Sequence, residues 1–480
     1  MKKNINSKAM ILLFAISFLL TASVVIMPIK GDTGPVPAQT VDLKIIVSDQ
    51  QKPGVDGVIT AFLASSLGSG VDSVEVVASG TRSNDQLAYT VALMEAEDSE
   101  FDVIGLDTIW PAQFAENGWI VDLTPLLDAN EMDAYVPGMV DSSTYKDKIW
   151  AYPYFMNLGI LFYRNDLLTR NGYDATDITT WAGLKTVANA ILDNETEQAL
   201  NPTLVGYVGQ LDAYEGGVVN FFEWAGSNGV TDLVTSTGTV NIDNADVAEA
   251  MDFIKALIPG QYTGVMNNSY IIPRTGIVDD EGSSVTRWLA NNSIFHRQWT
   301  FAYGLSVDNN MDFGVAPLPT FTGASDEKSS AVGGAVLAIS EYSNNKAEAL
   351  NLIRFLGDTV AQEYELTEIS NFPALTSVYS SPPTGYEWIG EWSDQLARTL
   401  ARPVHPKYSE ISTIIADYFS DLLSCNKEVA DALEQMEADV NELLAGAPVV
   451  PIPGFELTIL GLASVSMIGI IVVFIRRRIK

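Results

Sequence analysis

One cysteine, two histidines and 27 basic residues against 60 acidic ones set the first limits on this chain of 480 residues. A lone Cys425 allows neither an intramolecular disulfide nor a thiolate metal cluster, and it lies too far along the chain to be a lipobox cysteine. His296 and His405 are far apart in sequence, so a histidine-based metal or catalytic site is not expected. No Asp-x-Asp-x-Asp-Gly calcium loop occurs, and no cofactor is expected. The formal net charge of −33 argues against nucleic acid, because phosphate binding needs clustered Lys and Arg. Such acidity reads first as a well-solvated surface and only second as a complement to a cationic ligand.

What is present begins with apolar runs at both ends. Lys2, Lys3 and Lys8 precede an apolar stretch over 9–29, so 1–30 reads as a signal peptide or N-terminal anchor. After the proline-rich linker 447–456, residues 457–475 carry no charge and are closed by Arg476, Arg477, Arg478 and Lys480. Roughly 19 residues at about 1.5 Å each cover roughly 28 Å, the length of a transmembrane helix. The basic tail 476–480 is expected to stay cytoplasmic and everything before the span to lie outside. Three N-glycosylation patterns, at Asn194, Asn267 and Asn291, agree with an exterior location.

Between the ends, strand and helix patterns alternate. Short apolar runs at 43–47, 74–76 and 101–106 are separated by helical stripes, which predicts an α/β fold with a parallel sheet covered on both faces. Ligands of such sheets sit beyond the carboxyl ends of the strands, where Asp107 and Trp110 fall. Asp107 either contacts a ligand there or caps the turn that follows. The stretch from Trp150 to Tyr163 is rich in aromatic rings, is broken by Pro153 and has Asn157 as its one polar uncharged side chain. It is expected to cross between two lobes, with Tyr154, Phe155 and Asn157 on the wall of the cleft. Trp299, Phe301 and Tyr303 share strand parity and form either a core stripe or a ligand platform. Gly333 and Gly334 lead a strand at 331–339, where a ligand or another backbone can approach closely, at Gly334 and Ala335 in particular.

Taken in order, Phe101-Asp-Val-Ile-Gly-Leu-Asp-Thr-Ile-Trp110, Ala151-Tyr-Pro153 through Asp166, Tyr214-Glu-Gly216, Gly314-Val-Ala-Pro-Leu-Pro319, Gly333-Gly334 and Ala401-Arg-Pro403 with Pro406-Lys-Tyr-Ser-Glu410 resemble a known family. It is that of the extracellular solute-binding proteins of carbohydrate ABC transporters (family 1), most closely the trehalose/maltose-binding type. The tail, with Pro453-Gly454-Phe455 before an apolar run and an arginine cluster, resembles an archaeal C-terminal surface anchor. The resemblance implies a two-lobed, type II periplasmic-binding-protein-like fold with three interlobe crossings, near 151–153, 313–317 and 357–360. The lobes would then be 41–152 with 315–357, and 153–314 with 358–446. It implies a small-molecule ligand, an oligosaccharide, held in the cleft by residues including Asp107 and Trp299, with ABC permease and ATPase subunits as partners. It implies no catalysis.

The departures from that family also carry information. Asn157 stands where the trehalose/maltose type has an acid, Phe155 where it has a tyrosine, and Ala335 where it has a tryptophan. Each change removes a charge, a hydroxyl or a ring, so the family's disaccharide is not implied for this chain. Two rival readings remain at this level, a surface sensor for a non-sugar solute and an extracellular glycosidase. The second is disfavoured because only Asp107 offers a carboxylate in the expected cleft, where hydrolysis needs two.

Overall fold

The first apolar runs become β1 (Val41–Val47), β2 (Val71–Ala78) and β3 (Val103–Asp107), joined through helices Lys52–Ala64 and Ser83–Glu95. The computed structural model describes residues 40–446, apart from 236, 260–269, 324–327, 388, 390–397 and 401. The predicted signal or anchor at 1–30, the linker 447–456, the span 457–475, the tail 476–480 and the Asn267 pattern lie outside those residues. Among the described residues, no helix is long and apolar enough to cross a membrane. β1 pairs in parallel with both neighbours, Ile45 lying beside Val76 on one side and Val103 on the other. The parallel unit expected from the alternating pattern is therefore present.

A small hairpin, β4 (Thr144–Tyr145) and β5 (Lys148–Ile149), leads into β6 (Tyr152–Arg164). Thirteen extended residues at about 3.3 Å each make β6 about 43 Å long. Eleven consecutive residues, Tyr152 to Phe162, are buried or nearly so, as befits a strand covered on both faces. Its first part, through Leu158, pairs with β10 (Ser330–Ile339), which also pairs antiparallel with β3. From Gly159 onward it pairs instead with β8 (Ser293–Trp299) and β9 (Phe313–Ala316), and β7 (Val205–Val208) runs parallel to β8. The order β2-β1-β3-β10-β6-β8-β7 thus contains two sheet halves that share β6.

Pairing places all three crossings later in the chain than the sequence suggested. The first falls at Leu158–Gly159 rather than 151–153, because β6 does not end at Pro153 but runs through both halves. β9 still pairs with the far end of β6, so the chain does not leave the second half at 313–317. It leaves along β10, whose Ser330 and Ala331 pair with β12 (Thr399–Leu400) before Val332 meets Leu158. After Gly357 the chain stays with the first half. Helix Thr359–Tyr364 and the π turn Glu365–Ile369 pack on helix Lys52–Ala64, and β11 (Phe372–Pro373) pairs with Met156 and Phe155. The return lies between helix Thr376–Ser380 and β12.

Candidate functional site

A cavity of about 430 Å³ opens where the two halves meet. β3 delivers Asp107 to it, β6 delivers Phe155 and Asn157, and β8 ends in it at Trp299. Gly333 and Gly334 of β10 form part of its wall. Gly334 has φ +119°, and a Cβ there would sit 2.3 Å from the Phe155 carbonyl oxygen, so only glycine fits. A Cβ at Gly333 would come within 3.0 Å of the Trp299 ring.

Trp299 is held from below and from its edge. The Arg297 guanidinium lies 4.1 Å from the indole centroid. Arg297 is itself fully buried and fixed by a bidentate pair with Glu223 at 2.6 and 2.7 Å and by Gln210 at 2.7 Å. The indole Nε1 donates to Glu281 Oε1 at 3.4 Å, and Tyr214 OH donates to the other Glu281 oxygen at 2.5 Å. Burial and the Glu281 carboxylate push the Tyr214 phenol well above its usual pKa, so it remains a donor. Asn157 accepts from Thr300 Oγ1 at 2.7 Å through its carbonyl, and its amide nitrogen is the donor end of the side chain.

Arg402 joins the halves at the cavity. It donates to Asp107 Oδ1 and to Glu215 Oε1, both at 2.8 Å, and to Thr108 Oγ1 at 3.0 Å. Its Nε is buried without a partner among the described residues. Glu215 also accepts from Tyr408 at 2.8 Å and from Ser412. Burial, reinforced by the nearby Asp107 charge, raises the Glu215 pKa, with Arg402 and Ser412 pulling it back. Burial works against the Arg402 charge, but the two carboxylates more than offset it and its pKa rises. Asp107 Oδ1 also takes Thr108 Oγ1 at 3.2 Å and the Ile109 amide at 3.3 Å, so the local bond weighed from sequence exists beside the long-range one. Asp107 Oδ2 takes none of these bonds. At the rim, Arg82 pairs with Asp212 at 2.6 Å and lies 4.6 Å from the Tyr214 ring, a second link between the halves.

Of the residues singled out from sequence, Asp107, Phe155, Asn157, Trp299, Phe301 and Gly334 come together around the cavity. Three do not line it. Tyr154 is fully buried on the opposite face of β6, where its hydroxyl donates to Glu365, because adjacent strand residues point to opposite faces. Ala335 shares the sheet face of Asp107 and Phe155, with which it pairs in register, but it is fully buried between them and does not line the cavity. Trp110 is only 3% exposed and lines a separate groove beside helix Ser83–Glu95. The shared parity of Trp299 and Phe301 also fails, since β8 stops at Trp299 and Phe301 begins helix Ala302–Asp308. Glu215, Glu281 and Arg402 were missed. The signal available was a charged residue set in an apolar or proline-flanked stretch, as in Glu215 before Gly-Gly-Val-Val and Arg402 before Pro403.

The sequence pattern of the bacterial extracellular solute-binding protein family matches residues 58–388, more than half of the chain. The chain belongs to that family. A relative described as a probable ABC transporter-binding protein from Deinococcus radiodurans is 29% identical over 378 residues, 77% of this chain and 86% of that protein. Among solved structures, T. maritima MalE3 bound to maltose superimposes with a TM-score of 0.74 at 27% identity, covering 84% of this chain and all of that one. The GacH receptor of Streptomyces glaucescens, solved free and with acarbose, gives 0.70 at 19% identity over 85% of this chain and 99% of its own. These neighbours place this solute-binding protein in the two-lobed α/β fold of periplasmic binding proteins. Members of the family bind solutes and are not enzymes. Helices and strands here accordingly present a cavity with anchored rings and hydrogen-bonding groups. Among the described residues, no group of three His, Cys, Asp or Glu side chains is placed to hold a metal ion.

Proposed function

We propose that this protein is a membrane-tethered extracellular substrate-binding component that captures an oligosaccharide between its lobes and presents it to an ABC permease. The observation that carries the reading is Trp299, a half-buried indole fixed by Arg297 and Glu281 at the edge of a polar cavity. An indole face covers the C–H face of a pyranose, while Asp107, Asn157 and Glu281 meet its hydroxyls. A volume of about 430 Å³ lies within the roughly 300–1,000 Å³ of small-molecule sites. The maltose carried by MalE3 agrees with this class of ligand. Each lobe supplies part of the site, so an occupied cleft favours the closed arrangement. Tethering rests on the uncharged run 457–475 and its basic end, which resemble an archaeal-type surface anchor. That anchor would hold residues 41–446 outside the cell.

The test is a titration of the full chain in detergent with mono-, di- and oligosaccharides, read by tryptophan fluorescence and calorimetry. Saturable binding of at least one saccharide is expected. No response to any saccharide, together with binding of a peptide or polyamine, would overturn the sugar assignment.

A further inference from the structure

One wall of the central cavity is made by consecutive residues, Glu368 to Asn371. They close the π turn Glu365–Ile369, a rare form of helix that often accompanies functional sites. Ser370 ends it in the left-handed region at φ 66°, and the Asn371 amide returns to the Glu365 carbonyl at 3.0 Å. The turn therefore carries Glu365 behind the wall and Asn371 in it.

Glu365 is buried, and its carboxyl rests on the first turn of helix Lys52–Ala64, in space that a Cβ at Gly54 would take. Two neutral donors reach it, Tyr154 OH from β6 at one oxygen and Asn371 Nδ2 at the other, at 2.7 Å. No charged group pairs with it among the described residues. On the packed helix, Lys52 and Asp56 pair with each other at 2.8 Å, and the Tyr364 hydroxyl of helix Thr359–Tyr364 lies against Gly57. Glu363 and the exposed Glu368 bond elsewhere or to solvent, and β11 carries no titratable group. Asn371 commits its nitrogen to Glu365. Its carbonyl oxygen accepts no hydrogen bond among the described residues, yet it is not buried away from solvent, so it opens on the cavity.

We infer that Asn371 contacts the ligand, its carbonyl accepting from a saccharide hydroxyl, and that Glu365 is the positioning residue that holds the amide this way round. An ionised carboxylate accepts at both oxygens and keeps the nitrogen inward. A protonated carboxyl carries a donor, can give it to the amide carbonyl and so turns the nitrogen to the cavity. Burial pushes the Glu365 carboxyl up to about 7, so this exchange falls close to neutral pH.

This inference rests on the saccharide reading above, and one experiment separates the two. Maltose, trehalose, cellobiose, maltotriose and cellotriose are titrated calorimetrically into the full chain, Asn371→Ala and Glu365→Gln at about pH 8 and about pH 5.5, on either side of the Glu365 transition. Helical content and melting temperature confirm folding for each variant. The natural chain is expected to bind its saccharide about threefold more tightly at the higher pH, or better. Asn371→Ala should weaken binding about threefold to tenfold at the higher pH and remove the pH dependence. Glu365→Gln, which cannot ionise, should also remove it, and its profile decides if Asn371→Ala does not fold. A pH dependence that survives in either variant comes from another carboxylate, such as Glu215, and overturns the pairing. Affinity indifferent to pH in the natural chain, or unchanged by Asn371→Ala, overturns it too, while the saccharide reading stands. Failure of every saccharide to bind overturns both.

Discussion

The Arg402 guanidinium reaches from the second half of the molecule to the Asp107 carboxylate in the first, at 2.8 Å, while its other nitrogen holds Glu215 at the same distance. Arg402 and Glu215 are both almost completely excluded from water. Two charges in that setting are stable only as a set, because each is costly alone. Arg402→Met is therefore expected to cost about 3–5 kcal/mol of folding stability by leaving Glu215 uncompensated. Adding Glu215→Gln should restore a large part of that loss. Urea unfolding of the four members of the cycle measures the coupling. Additive effects of the two changes would show that the pair does not act as a unit.

Trp299 is expected to behave differently, as a residue that serves the ligand more than the fold. Its indole is only partly buried, and its main internal support is the stacked Arg297. A cation–π contact of this kind contributes about 0.5–2 kcal/mol. Trp299→Ala should abolish saccharide binding in calorimetry while lowering the unliganded melting temperature only slightly. A large loss of stability without ligand would place Trp299 in the core instead.

Much of the site was legible because strand geometry is local. The end of β3 could be read from where the apolar run meets Asp107, and Phe155 and Asn157 share a face by alternation. The same alternation excludes Tyr154, whereas Ala335, chosen because the trehalose/maltose type has a tryptophan there, has the right parity but is buried between Asp107 and Phe155. Trp110 satisfied the rule for strand ends, yet one further turn carried it to the back of helix Ser83–Glu95. The charged members were hidden by distance along the chain. Arg402 meets Asp107 295 residues earlier and Glu215 187 residues earlier, and nothing local marks such a pairing. The crossings implied by the resemblance, near 151–153, 313–317 and 357–360, fall elsewhere because strand pairing is not visible locally. β6 continues past Pro153, and the chain after Gly357 packs back on the first half through helix Thr359–Tyr364 and β11.

The second link between the halves should respond to salt. Arg82 and Asp212 are 2.6 Å apart across the rim, with side chains 37% and 29% exposed. A pair this exposed contributes at most about 1 kcal/mol and is screened by ions. Arg82→Ala should therefore weaken ligand affinity by less than about tenfold and flatten its dependence on ionic strength. Titrations at about 0.05 M and about 0.5 M salt, which span the change in Debye length, provide the comparison. Unchanged salt dependence in the variant would remove the pair from the closing step.

Glu365 should give the fold a pH dependence of a recognisable sign. It lies buried in the π turn, accepts from Tyr154 and from Asn371 Nδ2 at 2.7 Å, and is pushed up to about 7 by burial, with those hydrogen bonds pulling the other way. The folded state therefore keeps its proton through a range in which the unfolded chain, with the ordinary value of 4.5, has lost it. Its contribution is largest below about pH 4.5, declines as the pH rises towards about 7 and is level above that. The gap corresponds to a decline on the order of 3 kcal/mol. Glu365→Gln keeps the size of the side chain and cannot ionise. The stability of the natural chain relative to Glu365→Gln, from urea unfolding at several pH values, should fall across this window. A difference that is flat, or that rises with pH, would show that Glu365 is ionised in the folded protein at neutral pH.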